Sequence, residues 1–415
     1  MVDQNLTVLN RSYSADLHLT TDELELQPPI ASDQPLMLLM GNDVIALGAL
    51  MAGCRFMAAY PITPASDIME TMSLQLPKEN GLMVQTEDES AAITMCIGAS
   101  FAGVRSMTAT SGPGLTLMME GLALAGMTET PVVVVDAQRS GPSTGMPTRT
   151  EQSDLNTLYY AGHGEYSMII LTPSTIEECY YLTIDAFNLA DQYQCPVVLM
   201  SDLNLSLSPQ TIPAIPYHQV KIHRGKLLDK STSSMDKNQH FCRYRLTEDG
   251  ISCRSFPGMS GGIHHVSGLE HNEWGRPSDI AENRRKMMDK RKEKMQSLAV
   301  KPAVKIIRKG SKGLCLTFGS NWGILCEAVK SYQLSVDIAR ITRLRPLPVK
   351  ELQRILLEYD HLLILEQNQN AQMTGIIRHE IGYSDKIMSL TRYDGESFKM
   401  SEIAESIERW CEEWK

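Results

Sequence analysis

From Leu36 onward, short β-rich or apolar runs alternate with stretches of helix length whose apolar residues fall on one face. FMAAY (56–60) precedes a helix-length run at about 65–76, and LMVQT leads into the acidic EDES (87–90). VRSMTAT (104–110) is followed by a helix pattern at about 115–126, and PVVVVDA (131–137) by another at about 150–160. MIILT (168–172) precedes a helix at about 174–193, and PVVLMSD (196–202) closes the series. Near-continuous apolar strands alternating with helices predict a parallel, doubly wound α/β sheet over residues 36–210.

Residues 211–300 break that rhythm with Pro213, Pro216 and the glycine group PGMSGG (257–262). The run ENRRKMMDKRKEKMQ (282–296), with both signs interleaved, predicts a solvated helix. Alternation then resumes: GLCLTFGS (313–320), a helix at about 322–333, VDIARIT (336–342), a helix at about 349–358 and HLLILEQN (361–368). These predict a second α/β domain over 301–415, joined to the first by an irregular segment, 211–300. Residues 1–35 are polar, show no convincing period and read as an extension.

Composition narrows the picture. With 43% hydrophobic and 21% charged residues, the 415-residue chain can bury a core, which excludes wholesale disorder. Lys+Arg 39 against Asp+Glu 49 gives a net charge of −10, and no basic stripe favours nucleic acid as the main ligand. No run approaches the ~20 apolar residues of a membrane span, and the start lacks a secretory signal pattern, so the expected compartment is the cytoplasm. The 9 cysteines are scattered with no C-x-x-C, which points to reduced structural thiols and to no metal or cluster site on this chain.

In a parallel sheet, ligands bind where loops leave the carboxyl ends of the strands. Four such loops stand out. YPITP (60–64) brackets a β-branched pair with prolines, so Thr63 either presents its hydroxyl from a stiff platform or only caps the next helix. EDES places Glu87, Asp88 and Glu89 in a first helical turn, where acids are favoured anyway; Glu89 leads a small-residue helix that would desolvate it and suit proton exchange with a ring nitrogen. TSGPG (110–114) offers backbone N–H groups before a helix, but neither G-x-G-x-x-G nor a P-loop is present. QRSGPSTGMPTRTEQSDL (138–155) carries Arg139, either a carboxylate-binding fork or an ordinary solvated arginine, among small residues and prolines that would admit a ligand.

Taken together, YPITP, the E-x-A-A helix with G-A-x-x-A-G, TSGPG and R-x-G-P-S-T-G-M-P-T-x-x-E-Q-x-D-L resemble the α subunit of thiamine-dependent 2-oxoacid:ferredoxin oxidoreductases, closest to the 2-oxoglutarate type. The likeness extends from about Leu38 to the C-terminus through YRLTEDGISCRSFPG (244–258), GLEHNEWG (268–275) and LEQNQNAQM (365–373). It implies a pyrimidine-binding domain of the thiamine diphosphate site followed by a transketolase C-terminal-like domain. In the family the cofactor lies between subunits, and a β chain supplies its diphosphate site, Mg²⁺ and a [4Fe–4S] cluster. The resemblance implies that Glu89 pairs with the aminopyrimidine, with Tyr60, Pro61, Ile62, Ser111 and Gly112 also at the cofactor. It implies substrate contacts for Thr63, Arg139 and Thr148. Ser140 stands where relatives often have glycine. Some relatives carry a γ domain ahead of this region, which 35 residues cannot supply.

The implied reaction is oxidative decarboxylation of 2-oxoglutarate to succinyl-CoA and CO₂, or its reverse. Coenzyme A takes the acyl group and ferredoxin the electrons, in a dimer of αβ pairs. Pyruvate or branched-chain 2-oxoacids as substrates, and a silent scaffold for the β chain, are the alternatives that the residues leave open.

Overall fold

The computed structural model describes residues 2–14, 34–215, 220–229, 240–382 and 385–413. It divides into two compact units, Met1–Leu36 and Met37–Lys415. In the first, Val2–Tyr13 forms an α-helix, a regularity the sequence reading of residues 1–35 missed. Its signal is short: Leu6, Leu9 and Tyr13 recur at helical spacing within a polar segment, and all three are exposed.

The second unit is built on two large sheets. A seven-stranded sheet runs in the order Arg343–Arg345, Ile169–Leu171, Pro196–Asp202, Val132–Gln138, Ser106–Thr110, Phe56–Ala59 and Leu82–Gln85. Six strands are parallel, as the doubly wound reading requires, and Arg343–Arg345 is an antiparallel edge contributed by the later part of the chain. Val132–Gln138 lies at its centre with every residue buried, because helices cover both faces and a β-branched run suits such a strand. A second sheet orders Ile387–Thr391, His361–Glu366, Gly313–Thr317, Asp337–Ile341 and Val304–Ile307, the last antiparallel.

Helix boundaries follow local chemistry. Asp88 opens Glu89–Phe101 by accepting from the Ala91 N–H at 2.6 Å, and Thr175 opens Ile176–Tyr193 by accepting from Glu178 N at 3.1 Å. The helix expected at 115–126 is two, Gly112–Leu117 and Met119–Met127, breaking at Met118. That expected at about 150–160 is only Leu155–Tyr159, because the preceding backbone bonds elsewhere: Gln152 N–H donates to the Gln367 carbonyl at 2.6 Å.

The charged run does form a helix, Ala281–Ala299, but it is not solvated all round. Lys290, Arg291 and Lys294 are buried on one face with Met287 and Leu298. Lys290 and Lys294 reach Glu129 at 2.6 and 3.2 Å, and Arg291 reaches Glu270 at 2.6 Å. Their buried partners sit far away in sequence, so interleaved charge alone does not reveal this face. The described residues between 214 and 280 form no helix or strand; they are pinned by side chains, as where Arg254 meets Asp191 at 2.5 Å.

Candidate functional site

The chain passes from Phe56–Ala59 outward to Leu82–Gln85, then crosses back to Ser106–Thr110 on the other side. That reversal leaves a crevice at the carboxyl edge between Phe56–Ala59 and Ser106–Thr110. YPITP, EDES and TSGPG all leave strands at this edge, and the 139–154 loop follows the central strand one place over.

Tyr60, Pro61 and Thr63 are exposed, whereas Ile62 packs on the core and Pro64 is buried. Asn42 fixes the turn from behind by donating to the Pro64 carbonyl at 2.7 Å. Arg139, only 6% exposed, donates from Nη1 to the Thr63 carbonyl at 2.7 Å and from Nη2 to the Thr144 carbonyl at 3.1 Å. Its Nε is buried without a partner, and burial lowers the guanidinium pKa against the opposing pull of Asp154. Arg139 is therefore no solvated arginine: it ties two site loops together and keeps N–H groups in reserve.

The Arg139 loop doubles back, with Ser140 N–H donating to the Arg149 carbonyl at 2.9 Å. Gly145 makes this turn possible: its φ is +51°, and a Cβ there would stand 1.9 Å from the Ser140 carbonyl oxygen. Thr148 lies on the exposed arm and does not line the cleft described below.

Glu89 is 5% exposed and makes no side-chain hydrogen bond among the described residues, while Glu87 and Asp88 face solvent. Opposite it is Gly114, where a Cβ would stand 2.3 Å from Glu89 Oε1 and equally close to Thr110 Oγ1. Ser111 is fully buried with its Oγ unpartnered, and Gly112 backs onto Asp154. Beside these groups opens a cleft of about 540 Å³ lined by Gly112, Arg139, Ser140, Glu151, Asp154 and Gln372, among others.

Several members of this arrangement were not singled out from sequence. Asp136 looked like the end of an apolar strand, and Asp154 like part of a polar loop. The Gln152 amide donates to Asp202 at 3.0 Å and to the Phe318 carbonyl at 3.1 Å, and its oxygen accepts from Asn321 at 2.9 Å. Asn368 donates to the Gln152 carbonyl at 3.2 Å, and Gln372 to the Ser153 carbonyl at 2.9 Å. LEQNQNAQM thus acts as a brace that positions the Asp154 loop from more than 200 residues away.

A buried, unpartnered carboxylate and a buried arginine at the reversal of a doubly wound sheet define an α/β protein that takes a ligand at its switch point. Residues 47–290 match the family model described as pyruvate flavodoxin/ferredoxin oxidoreductase, thiamine diP-bdg. The chain belongs to this family. It is 34% identical to the 2-oxoacid:ferredoxin oxidoreductase 1 subunit alpha of Sulfurisphaera tokodaii, over 98% of this chain and 68% of that one. Identity to the 2-oxoglutarate synthase subunit KorA of Methanothermobacter marburgensis is 35%, covering 89% of this chain and 97% of the relative. Among solved structures, the 2-oxoglutarate:ferredoxin oxidoreductase of Magnetococcus marinus, with 2-oxoglutarate, coenzyme A and succinyl-CoA bound, superimposes with a TM-score of 0.89 at 35% identity, over 98% of this chain and 70% of that one.

The residues present fit the thiamine diphosphate that the family model's description names. Glu89 is a buried carboxylate with its hydrogen-bonding capacity unspent, and Gly114 leaves it free of an opposing side chain. Among the described residues no helix is long and apolar enough to cross a membrane.

Proposed function

We propose that this chain is the α subunit of a 2-oxoglutarate:ferredoxin oxidoreductase that forms succinyl-CoA and CO₂, or runs the reverse reductive carboxylation. The observation that carries this reading is the Glu89 carboxylate, 5% exposed and without a side-chain hydrogen bond among the described residues, at the same sheet edge as an arginine whose Nε is unpartnered. Residues 36–210 would be the pyrimidine-binding domain and 301–415 the transketolase C-terminal-like domain, joined through 211–300.

Thiamine diphosphate, when bound, supplies a ring that stabilises the carbanion left by decarboxylation. This chain's part is to position and to move protons. Glu89 holds the pyrimidine and exchanges a proton at its ring nitrogen, in a place where water is largely excluded. Tyr60, Pro61, Ile62, Ser111 and Gly112 shape the walls around that ring. Arg139 spends two N–H groups on the Thr63 and Thr144 carbonyls and offers the others, Nε among them, to the substrate carboxylate. Because Arg139 holds Thr63 through its backbone, the Thr63 hydroxyl is left free for the substrate, and Thr148 would close over it from the exposed arm.

The β chain would complete the site with the diphosphate pocket, Mg²⁺ and a [4Fe–4S] cluster, ferredoxin would take the electrons and coenzyme A the acyl group. A dimer of αβ pairs in the cytoplasm is the assembly proposed. Half a cofactor site buries too little of the ligand to bind it firmly, so the chain alone should be colourless and inactive. The test is expression with and without the β chain, read by absorbance, mass and reduction of a viologen dye with 2-oxoglutarate, pyruvate and branched-chain 2-oxoacids. Activity or a cluster in the lone chain refutes the two-subunit reading. A loaded, inactive complex favours a scaffold, and preference for another acid changes the substrate.

A further inference from the structure

Beneath the Ser111–Gly114 turn lie groups that the proposed reaction does not use. Asp136, in the strand Val132–Gln138, is fully buried, and neither carboxyl oxygen has a hydrogen-bond partner among the described residues. Asp154 Oδ2 is also unpartnered, although Asp154 lines the cleft beside Arg139. The Asp154 backbone N–H donates to Gln138 Oε1 at 3.2 Å, which ties it to the strand that carries Asp136. Glycine at 112 leaves room for it in this position: a Cβ there would lie 2.9 Å from Oδ1 and 3.1 Å from Oδ2.

Were both ionised, the two carboxylates would repel each other, with water reaching only the Asp154 side. Burial, and then Asp154, push the Asp136 carboxyl well above its ordinary range. Burial and Glu151 push Asp154 up to about 7, against Arg139. The charged groups facing Asp154 are Asp136 on the strand, Glu151 on its own loop and Arg139 on the cleft wall. Helix Gly112–Leu117 carries no charge, and Gln372 brings only an amide.

We infer that the unpartnered Asp136 and Asp154 hold a proton at this sheet edge whose presence on Asp154 sets the charge of the Arg139 cleft, and with it the acceptance of an anionic carboxylate ligand. The inference rests on the proposed role of Arg139 in holding such a ligand. When Asp154 is neutral, Arg139 is unopposed. When it is ionised, it competes for Arg139 and repels the ligand. A bound anion therefore favours the protonated pair, and a rise of about one pKa unit on binding corresponds to about tenfold weaker affinity for the ionised form.

The test uses the full chain in complex with its β chain. Infrared spectroscopy with ¹³C-aspartate should show a carboxylic-acid C=O band at about pH 7.5 that is lost or shifted in Asp136→Asn, or in Asp154→Asn if the first variant does not fold. Calorimetry with glutarate, a carboxylate that cannot react, should show affinity falling about tenfold between about pH 6 and about pH 8.5, with proton uptake at the upper end. Asp154→Asn should bind glutarate with no more than about twofold dependence on pH and without proton uptake. A wild type lacking the acid band, binding indifferent to pH, or no glutarate binding at about pH 6 overturns the inference. A complex that shows band and proton uptake yet turns over no 2-oxoacid supports the pair and refutes the proposed reaction instead.

Discussion

Glu129 and Asp136 are both fully buried carboxylates in the same compact unit, and they are treated in opposite ways. Around Glu129 every cost of burial is answered nearby: Lys290 Nζ at 2.6 Å, Lys294 Nζ at 3.2 Å, and Arg243 donating to its carbonyl at 2.8 Å. Burial pushes the Glu129 carboxyl up, but Lys290, Lys294 and Arg243 outweigh it and hold it far below its ordinary range. Among the described residues Asp136 has no hydrogen-bond donor, and the charge that acts on it is that of another acid, Asp154. Asp191 follows the Glu129 pattern, gripped by Arg105 at 2.8 Å and Arg254 at 2.5 Å. Paired charge fastens the irregular 211–300 segment and its helix to the core, whereas among the described residues the buried carboxylate oxygens without a partner belong to Asp136 and Asp154, at the carboxyl edge of the central sheet. Buried carboxylates left without partners are the costly exception in folded proteins, so this pair at one edge marks where a ligand or proton must be supplied.

The largest effect that tests this contrast is expected at Glu129. Glu129→Ala leaves two lysines buried and unpaired and should lower stability by about 3–5 kcal/mol, read as the urea midpoint at fixed slope. If Lys290→Met in the Glu129→Ala background recovers much of that loss, the penalty is unpaired charge rather than a cavity. A Glu129→Ala variant as stable as wild type would mean that the triad is not the clamp for helix Ala281–Ala299.

Glu89 should behave in the reverse manner. Having no protein partner, it can lose its charge at small cost to folding, so Glu89→Gln should leave the urea midpoint nearly unchanged. Activity with 2-oxoglutarate should fall by about a hundredfold or more while thiamine diphosphate still binds, because the amide cannot exchange the ring proton. Turnover near that of wild type would remove Glu89 from the chemistry. Loss of stability without loss of turnover would move it into the same class as Glu129.

How much of this was readable before the structure depends on the range of the interactions. The strands announced themselves because VVVV and VVLM are apolar on both faces, and the site loops because they follow those strands. Glu89 was legible for the same local reason, as the first helical residue after a cap. Lys290 and Lys294 were not, since lysine at a core-facing position of a helix looks like solvated charge until its partner Glu129, some 160 residues earlier, is known. Asp136 was hidden within PVVVVDA, where one acid at the end of a strand carries no pattern of its own. Gln152 and Gln367 illustrate the same point: their hydrogen bonds join segments 215 residues apart, and no window of sequence contains both.

The smallest effect is expected at Asp154, and its sign separates the two kinds of site. Its folded pKa is raised from 3.8 to about 7 by burial and by Glu151. A raised carboxyl contributes stability that is fully present below 3.8 and is lost as the pH rises towards about 7, because above that point the folded state must hold a charge that the unfolded chain carries freely. Asp154→Asn removes the ionisation, so it should be close to neutral at about pH 5 and stabilising by about 1–2 kcal/mol at about pH 8, less than full linkage because the cleft admits water. Glu129→Gln must do the opposite, losing stability in full from about pH 5 upward and progressively less below it, since its folded pKa is depressed. Urea titrations of both variants at the two pH values measure this directly. An Asp154→Asn chain less stable than wild type at about pH 8 would mean that the ionised carboxylate has a partner, and that the carboxyl edge is fastened in the same way as the rest of the fold.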